Sequence, residues 1–143
     1  MEFTRRDICA MGAGTAATLA LAGGLPAFAA TDDVQKAMDE FTGGKTPTEG
    51  GVELTAPEIA ENGNTVPVEV ASEGAKRITV LAVGNPRPEV VTFVFGPLAG
   101  AHAASTRIRL AETQDLVAIA EMPDGSFRKA TRQVKVTIGG CGG

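Results

Sequence analysis

The residues best placed to do chemistry stand together as Gly139-Gly140-Cys141-Gly142-Gly143, directly after the run Val134-Lys135-Val136-Thr137-Ile138. Glycine accepts both signs of φ and carries no side chain, so a cysteine between glycine pairs has no preset backbone and no bulky neighbours. From Gly139 to Cys141 an extended arm reaches roughly 10 Å at ~3.3–3.6 Å per residue. Such an arm is thin enough to enter a narrow tunnel that a folded domain cannot. The thiol has no Lys, Arg or His beside it to lower its pKa, and the terminal carboxylate opposes the thiolate. At an ordinary pKa of ~8.5 only about 3% is ionised at pH 7. Activation must then come from another protein's active site, which makes this chain a bearer of substrate and not an enzyme. The expected site is Cys141 as covalent attachment point, with Gly139, Gly140, Gly142 and Gly143 as a swinging arm.

Other constellations are poor. The one remaining cysteine, Cys9, falls in an N-terminal export signal, so the mature chain holds one thiol and no internal disulfide. A single histidine, His102, excludes a structural zinc site or a blue-copper site built from this chain, and it reads as a loop residue. No Cys-x-x-Cys, phosphate loop or Ser/His/Asp arrangement is present, so no metal or cofactor is expected. Arg107 and Arg109 read as one polar strand face, turned to solvent or to a partner. The net charge of −4, interspersed charges and the absence of Trp and Tyr argue against nucleic acid.

The N-terminus opens Thr4-Arg5-Arg6-Asp7-Ile8, continues through an apolar, small-residue stretch and reaches Ala27-Phe28-Ala29. Charged start, apolar middle and small-x-small end define a cleaved signal, and Arg5-Arg6 point to the twin-arginine route into the periplasm. Its glycines and alanines make it too weakly apolar for a stable anchor, so no membrane attachment is expected after cleavage. That route carries folded proteins, which favours a partner bound before export.

The arm needs a scaffold. Residues 1–29 are the signal, 30–51 a helix and linker, 52–138 a β-sandwich carrier domain and 139–143 the arm. Val34, Ala37, Met38 and Phe41 share one face of a helix over 32–41, stopped by Gly43-Gly44. Beyond Gly51 the period becomes two. Strands are expected at 52–54, at 66–70 (an edge strand or strand start, because of Pro67), at 77–83, 90–95, 106–111, 116–121 and 134–138, with turns at Asn62-Gly63-Asn64 and Pro123-Asp124-Gly125. About seven short strands indicate an all-β, immunoglobulin-like antiparallel sandwich. With few aromatics, branched aliphatics must fill its core.

Specific runs carry a family resemblance. They are Ala56-Pro57-Glu58-Ile59-Ala60-Glu61-Asn62-Gly63, Thr65-Val66-Pro67-Val68, Phe95-Gly96-Pro97, Ser105 through Gln114, Asp124-Gly125-Ser126-Phe127 and Val136 through Gly143. Together they closely resemble the SoxY family, the sulfur-carrying subunits of thiosulfate oxidation. The resemblance implies an immunoglobulin-like fold and sulfur intermediates held on Cys141. It implies a heterodimer with a SoxZ-like subunit. It further implies thiosulfate coupling by a c-type cytochrome complex, sulfate release by a manganese-dependent hydrolase and, in some organisms, a molybdenum-containing sulfane dehydrogenase. The residues alone leave two other readings open: an interaction module whose cysteine forms an intermolecular disulfide, and an independent thiol enzyme, which the missing basic neighbours disfavour.

Overall fold

The computed structural model describes residues 32–139. The expected export segment with Arg5 and Arg6, and Gly140, Cys141, Gly142 and Gly143, lie outside the described residues.

Among the described residues the order is α1 (Asp32–Thr42), β1 (Thr48–Glu49), β2 (Glu53–Thr55), β3 (Ile59–Ala60), β4 (Val66–Ala71), β5 (Arg77–Ala82), β6 (Glu89–Val94), β7 (Ala103–Ile108), β8 (Gln114–Glu121) and β9 (Phe127–Val136). One sheet runs β1-β9-β8-β5-β6, with β3 also on β9; the other runs β2-β4-β7. Two sheets face to face make the expected immunoglobulin-like β-sandwich. Its core is Val66, Val70, Ile78, Val80, Leu110, Leu116 and Val134, with smaller neighbours, so branched aliphatics do fill it.

The apolar runs of β5 and β8 explain a second layer. Ile78 through Ala82 and Leu116 through Ala120 are buried without alternation. A strand reads that way when both its faces are covered. One face meets the small sheet; the other puts Leu81, Val117, Ile119 and Phe127 under Ala37, Met38 and Phe41 of α1. Phe41 and Phe127 meet edge to face at 5.9 Å. Arg77 lies over the Phe41 ring at 4.7 Å and pairs with Glu121, tying the helix edge to the sheet. The helix ends where Gly43 and Gly44 take positive φ and the Gly44 N–H reaches back to the Asp39 carbonyl, a closure of the kind that stops helices at glycine.

Several details depart from the sequence reading. There are nine strands among the described residues, not about seven, and β1 and β3, two residues each, pair parallel to β9, so the sandwich is not wholly antiparallel. Such short pieces carry no period to read. Strand β4 is the middle of its sheet and not an edge. Pro67 is tolerated there because β2 pairs only Glu69 to Ala71, leaving Pro67 past its end. Strand β7 begins and ends three residues earlier than expected; Leu110 is buried after the strand has finished. Strand β9 runs ten residues, Phe127–Val136, where 134–138 was expected; it starts seven residues earlier, because Arg128, Lys129 and Arg132 hide its period, and ends two residues earlier. Arg132 is partly buried and donates from Nε to the Ala56 carbonyl.

Candidate functional site

Strand β9 leads toward Cys141, and its end is where the described structure meets the expected chemistry. Three segments hold it. On one side Lys135 donates its N–H to the Glu58 carbonyl (2.9 Å) and Thr137 donates to the Ala60 carbonyl (3.0 Å), continuing the parallel pairing with β3. The Thr137 hydroxyl adds a bond to the Glu61 carbonyl at 3.0 Å. Past the strand, the Ile138 carbonyl accepts from the Gly63 N–H at 2.7 Å. Gly63 belongs to the expected Asn62-Gly63-Asn64 turn, where the Asn62 Oδ1 accepts from the Asn64 N–H (2.9 Å).

On the other side stands the segment from Arg109 to Gln114, which is the loop between β7 and β8 together with the first residue of β8. The Thr113 hydroxyl takes the Val136 N–H at 2.9 Å and reaches the Val136 carbonyl at 3.3 Å. The loop is held by two amide side chains. Asn85 donates from Nδ2 to the Arg109 carbonyl (2.8 Å), while its Oδ1 accepts from the Ala111 N–H (3.0 Å) and from Gln114 Nε2 (2.9 Å). Gln114, buried, also donates to the Glu112 carbonyl and accepts from the Gly84 N–H at 2.8 Å. Leu110 donates its N–H to the Gly63 carbonyl (2.8 Å), so Gly63 bridges the strand end and the loop.

Gly139, expected as the first residue of the arm, is the last described residue and lies against this loop. A β-carbon at 139 would overlap the Ala111 carbonyl oxygen. Its φ is not in the left-handed region, so it is the lack of space that calls for glycine there. Cys141 and the remaining arm glycines lie outside the described residues.

The other candidates are structural or solvated. His102, in the loop before β7, accepts from the Gly74 N–H at Nδ1 (3.2 Å) and stacks edge to face on Phe95 at 5.6 Å. Arg107 and Arg109 are exposed. Arg107 borders a groove of about 600 Å³ on the outer face of the small sheet, lined also by Ala56, Pro57, Pro67 and Thr106. This groove belongs to the sheet that does not contain β9, and it holds no cysteine, histidine or paired carboxylates. Among the described residues no three of His, Cys, Asp and Glu are placed to hold a metal ion.

Sequence reasoning missed Asn85, Ala111, Thr113 and Gln114. Thr113 and Gln114 stood in a quoted family run, and Asn85 in a strand-breaking Asn-Pro step. Nothing in their spacing tied them to one another or to residue 139.

The family model described as sulfur oxidation protein SoxY matches residues 38–141. Among solved structures, the sulfur carrier protein SoxY from Chlorobium limicola f thiosulfatophilum is 36% identical, with a TM-score of 0.64, over 75% of this chain and 98% of that one. Superoxide reductase (neelaredoxin) from Ignicoccus hospitalis shares 17% identity at a TM-score of 0.55, over 61% of this chain and 80% of its own. A hypothetical protein from Pyrococcus horikoshii OT3 shares 12% at 0.53, over 67% of this chain and 98% of that one. The last two are likenesses of fold alone. No curated protein matches.

Proposed function

Because this chain belongs to the SoxY family of sulfur oxidation proteins, we propose that it is a covalent sulfur carrier that holds the intermediates of thiosulfate oxidation on Cys141 while partner enzymes act on them. The observation that carries the reading is that the family match runs along the sandwich and reaches Cys141 itself. A solved relative that is 36% identical bears the name sulfur carrier protein.

The chemistry asks little of the carrier beyond a reachable thiol. In loading, the Cys141 S–H and thiosulfate form one S–S bond and release one proton and two electrons, which a c-type cytochrome complex accepts. In the next step water attacks the terminal sulfone; sulfate leaves with the water's oxygen, and a persulfide stays on Cys141 with no change in electron count. A manganese-dependent hydrolase supplies that step, and where a sulfane dehydrogenase is present it oxidises the persulfide sulfur. The carrier works in the periplasm as a heterodimer with a SoxZ-like subunit, exported folded through the signal carrying Arg5 and Arg6.

The test is the intact mass of the protein purified without reductant from cells oxidising thiosulfate. Adducts of sulfur atoms or of a thiosulfate unit, on Cys141 and removable by reductant, are expected. Replacing Cys141→Ser abolishes them and leaves the fold intact. A bare thiol, or only a protein–protein disulfide, would refute the carrier reading in favour of an interaction module.

A further inference from the structure

We propose that the Arg109–Gln114 loop is the seat of the carrier arm and that Gly139 is the positioning residue through which it acts: the seat sets where, and in which direction, the chain bearing Cys141 leaves the sandwich. This rests on the carrier reading above and adds to it a fixed origin for the arm.

Three observations carry it. The strand end is bonded on both flanks up to Ile138, by Ala60 and Gly63 on one side and by Thr113 on the other. The loop that presses on Gly139 is itself immobilised: Asn85 and Gln114 spend their amide groups on the Arg109 and Glu112 carbonyls, the Ala111 and Gly84 N–H groups and each other. Glycine at 139 is required by the Ala111 carbonyl and not by backbone conformation. A residue needed only for pivoting would show open space around its missing β-carbon, as Gly96 and Gly100 do. The arm is therefore clamped through Gly139, its first residue. An arm with a fixed root searches a smaller volume, which raises the chance that its thiol meets a partner's tunnel in a productive pose.

The seat makes a specific demand. A methyl group at 139 must push aside either the loop or the chain. Gly139→Ala then speeds amide exchange at Gly63 and Val136 by about fivefold or more, as loss of one local bond's worth of stability would do. It lowers partner-catalysed sulfur loading on the order of tenfold. It leaves alkylation of Cys141 by iodoacetamide, which needs no docking, within about twofold of wild type, the small spread of an unperturbed thiol. Gly140→Ala leaves the exchange at Gly63 and Val136 unchanged. In an Asn85→Ala background, where the loop can yield, Gly139→Ala costs less loading than it does alone, the non-additivity expected of residues acting through one contact.

Wild-type exchange and loading in Gly139→Ala would overturn the proposal, as would a loss of loading matched by an equal loss of alkylation. If the wild-type chain takes up no sulfur, the carrier reading fails by itself. Exchange at Gly63 and Val136 in Gly139→Ala still decides the seat: acceleration upholds it and no change overturns it.

Discussion

Replacing Gln114 with methionine tests whether the loop against Gly139 is held as the structure shows. Gln114 is 6% exposed and makes three bonds, to Gly84 N–H, Asn85 Oδ1 and the Glu112 carbonyl. Methionine matches its length and loses all three. The Gly84 N–H, on a half-buried residue, has no other partner in this network, and leaving such a donor unmet costs about 1–3 kcal/mol. Asn85 Oδ1 keeps the Ala111 N–H, so its loss is small. The added apolar burial of the thioether offsets part of the sum. The net is about 2 kcal/mol of destabilisation. For a domain of this size 1 kcal/mol moves Tm by roughly 4–8 °C, so a drop of about 10 °C is expected. Circular dichroism is the suitable probe, since the chain has no Trp or Tyr. Exposed Gln133→Met is the matched control. A drop under about 3 °C, or one equal to the control's, would refute the bonding scheme beside Gly139.

Other substitutions test other layers. Leu116→Ala, at a fully buried core position, costs about 3–5 kcal/mol in urea unfolding. Thr113→Val keeps the shape but removes both bonds to Val136; a stability loss of about 1 kcal/mol is expected, with faster amide exchange at Val136. Asp124 titrates below the usual carboxylate range, first because the Ser126 hydroxyl donates to it and next because the Ser126 N–H does. With its folded pKa depressed, the turn's contribution is present above the unfolded value and lost as pH falls through the folded one. NMR titration of Ser126→Ala should show the Asp124 pKa rising toward normal.

The parts of the fold legible in the sequence were those with one exposed face or a strong punctuator. Val66, Val68 and Val70 alternate, and Gly43-Gly44 and Pro123-Asp124-Gly125 announce their turns. Strand β9 was legible only at its C-terminal end because long basic side chains can lie along a partly covered face and mask its period. The frame of β7 slipped because Leu110 is buried in the loop, where one bond to Gly63 takes the place of the ladder. At the candidate site, Gly139 stands out by type, while Cys141 lies outside the described residues. The supports of Gly139 do not stand out: Asn85 and Gln114 lie far apart in the chain and meet only through the sandwich crossover. The continuous apolar runs of β5 and β8 held an unread clue, since a strand buried on both faces requires something like α1 above it.

Strand β9 has a mechanical meaning. Hydrogen bonds in an antiparallel pair lie across the strand axis. A pull along that axis loads the eight paired positions with β8, and the short contacts with β3 and β1, in shear rather than peeling them one at a time. Strands loaded in shear must yield together. In the carrier reading proposed above, force applied at the C-terminal end of β9 therefore leaves the sandwich intact, and the domain behaves as a fixed post.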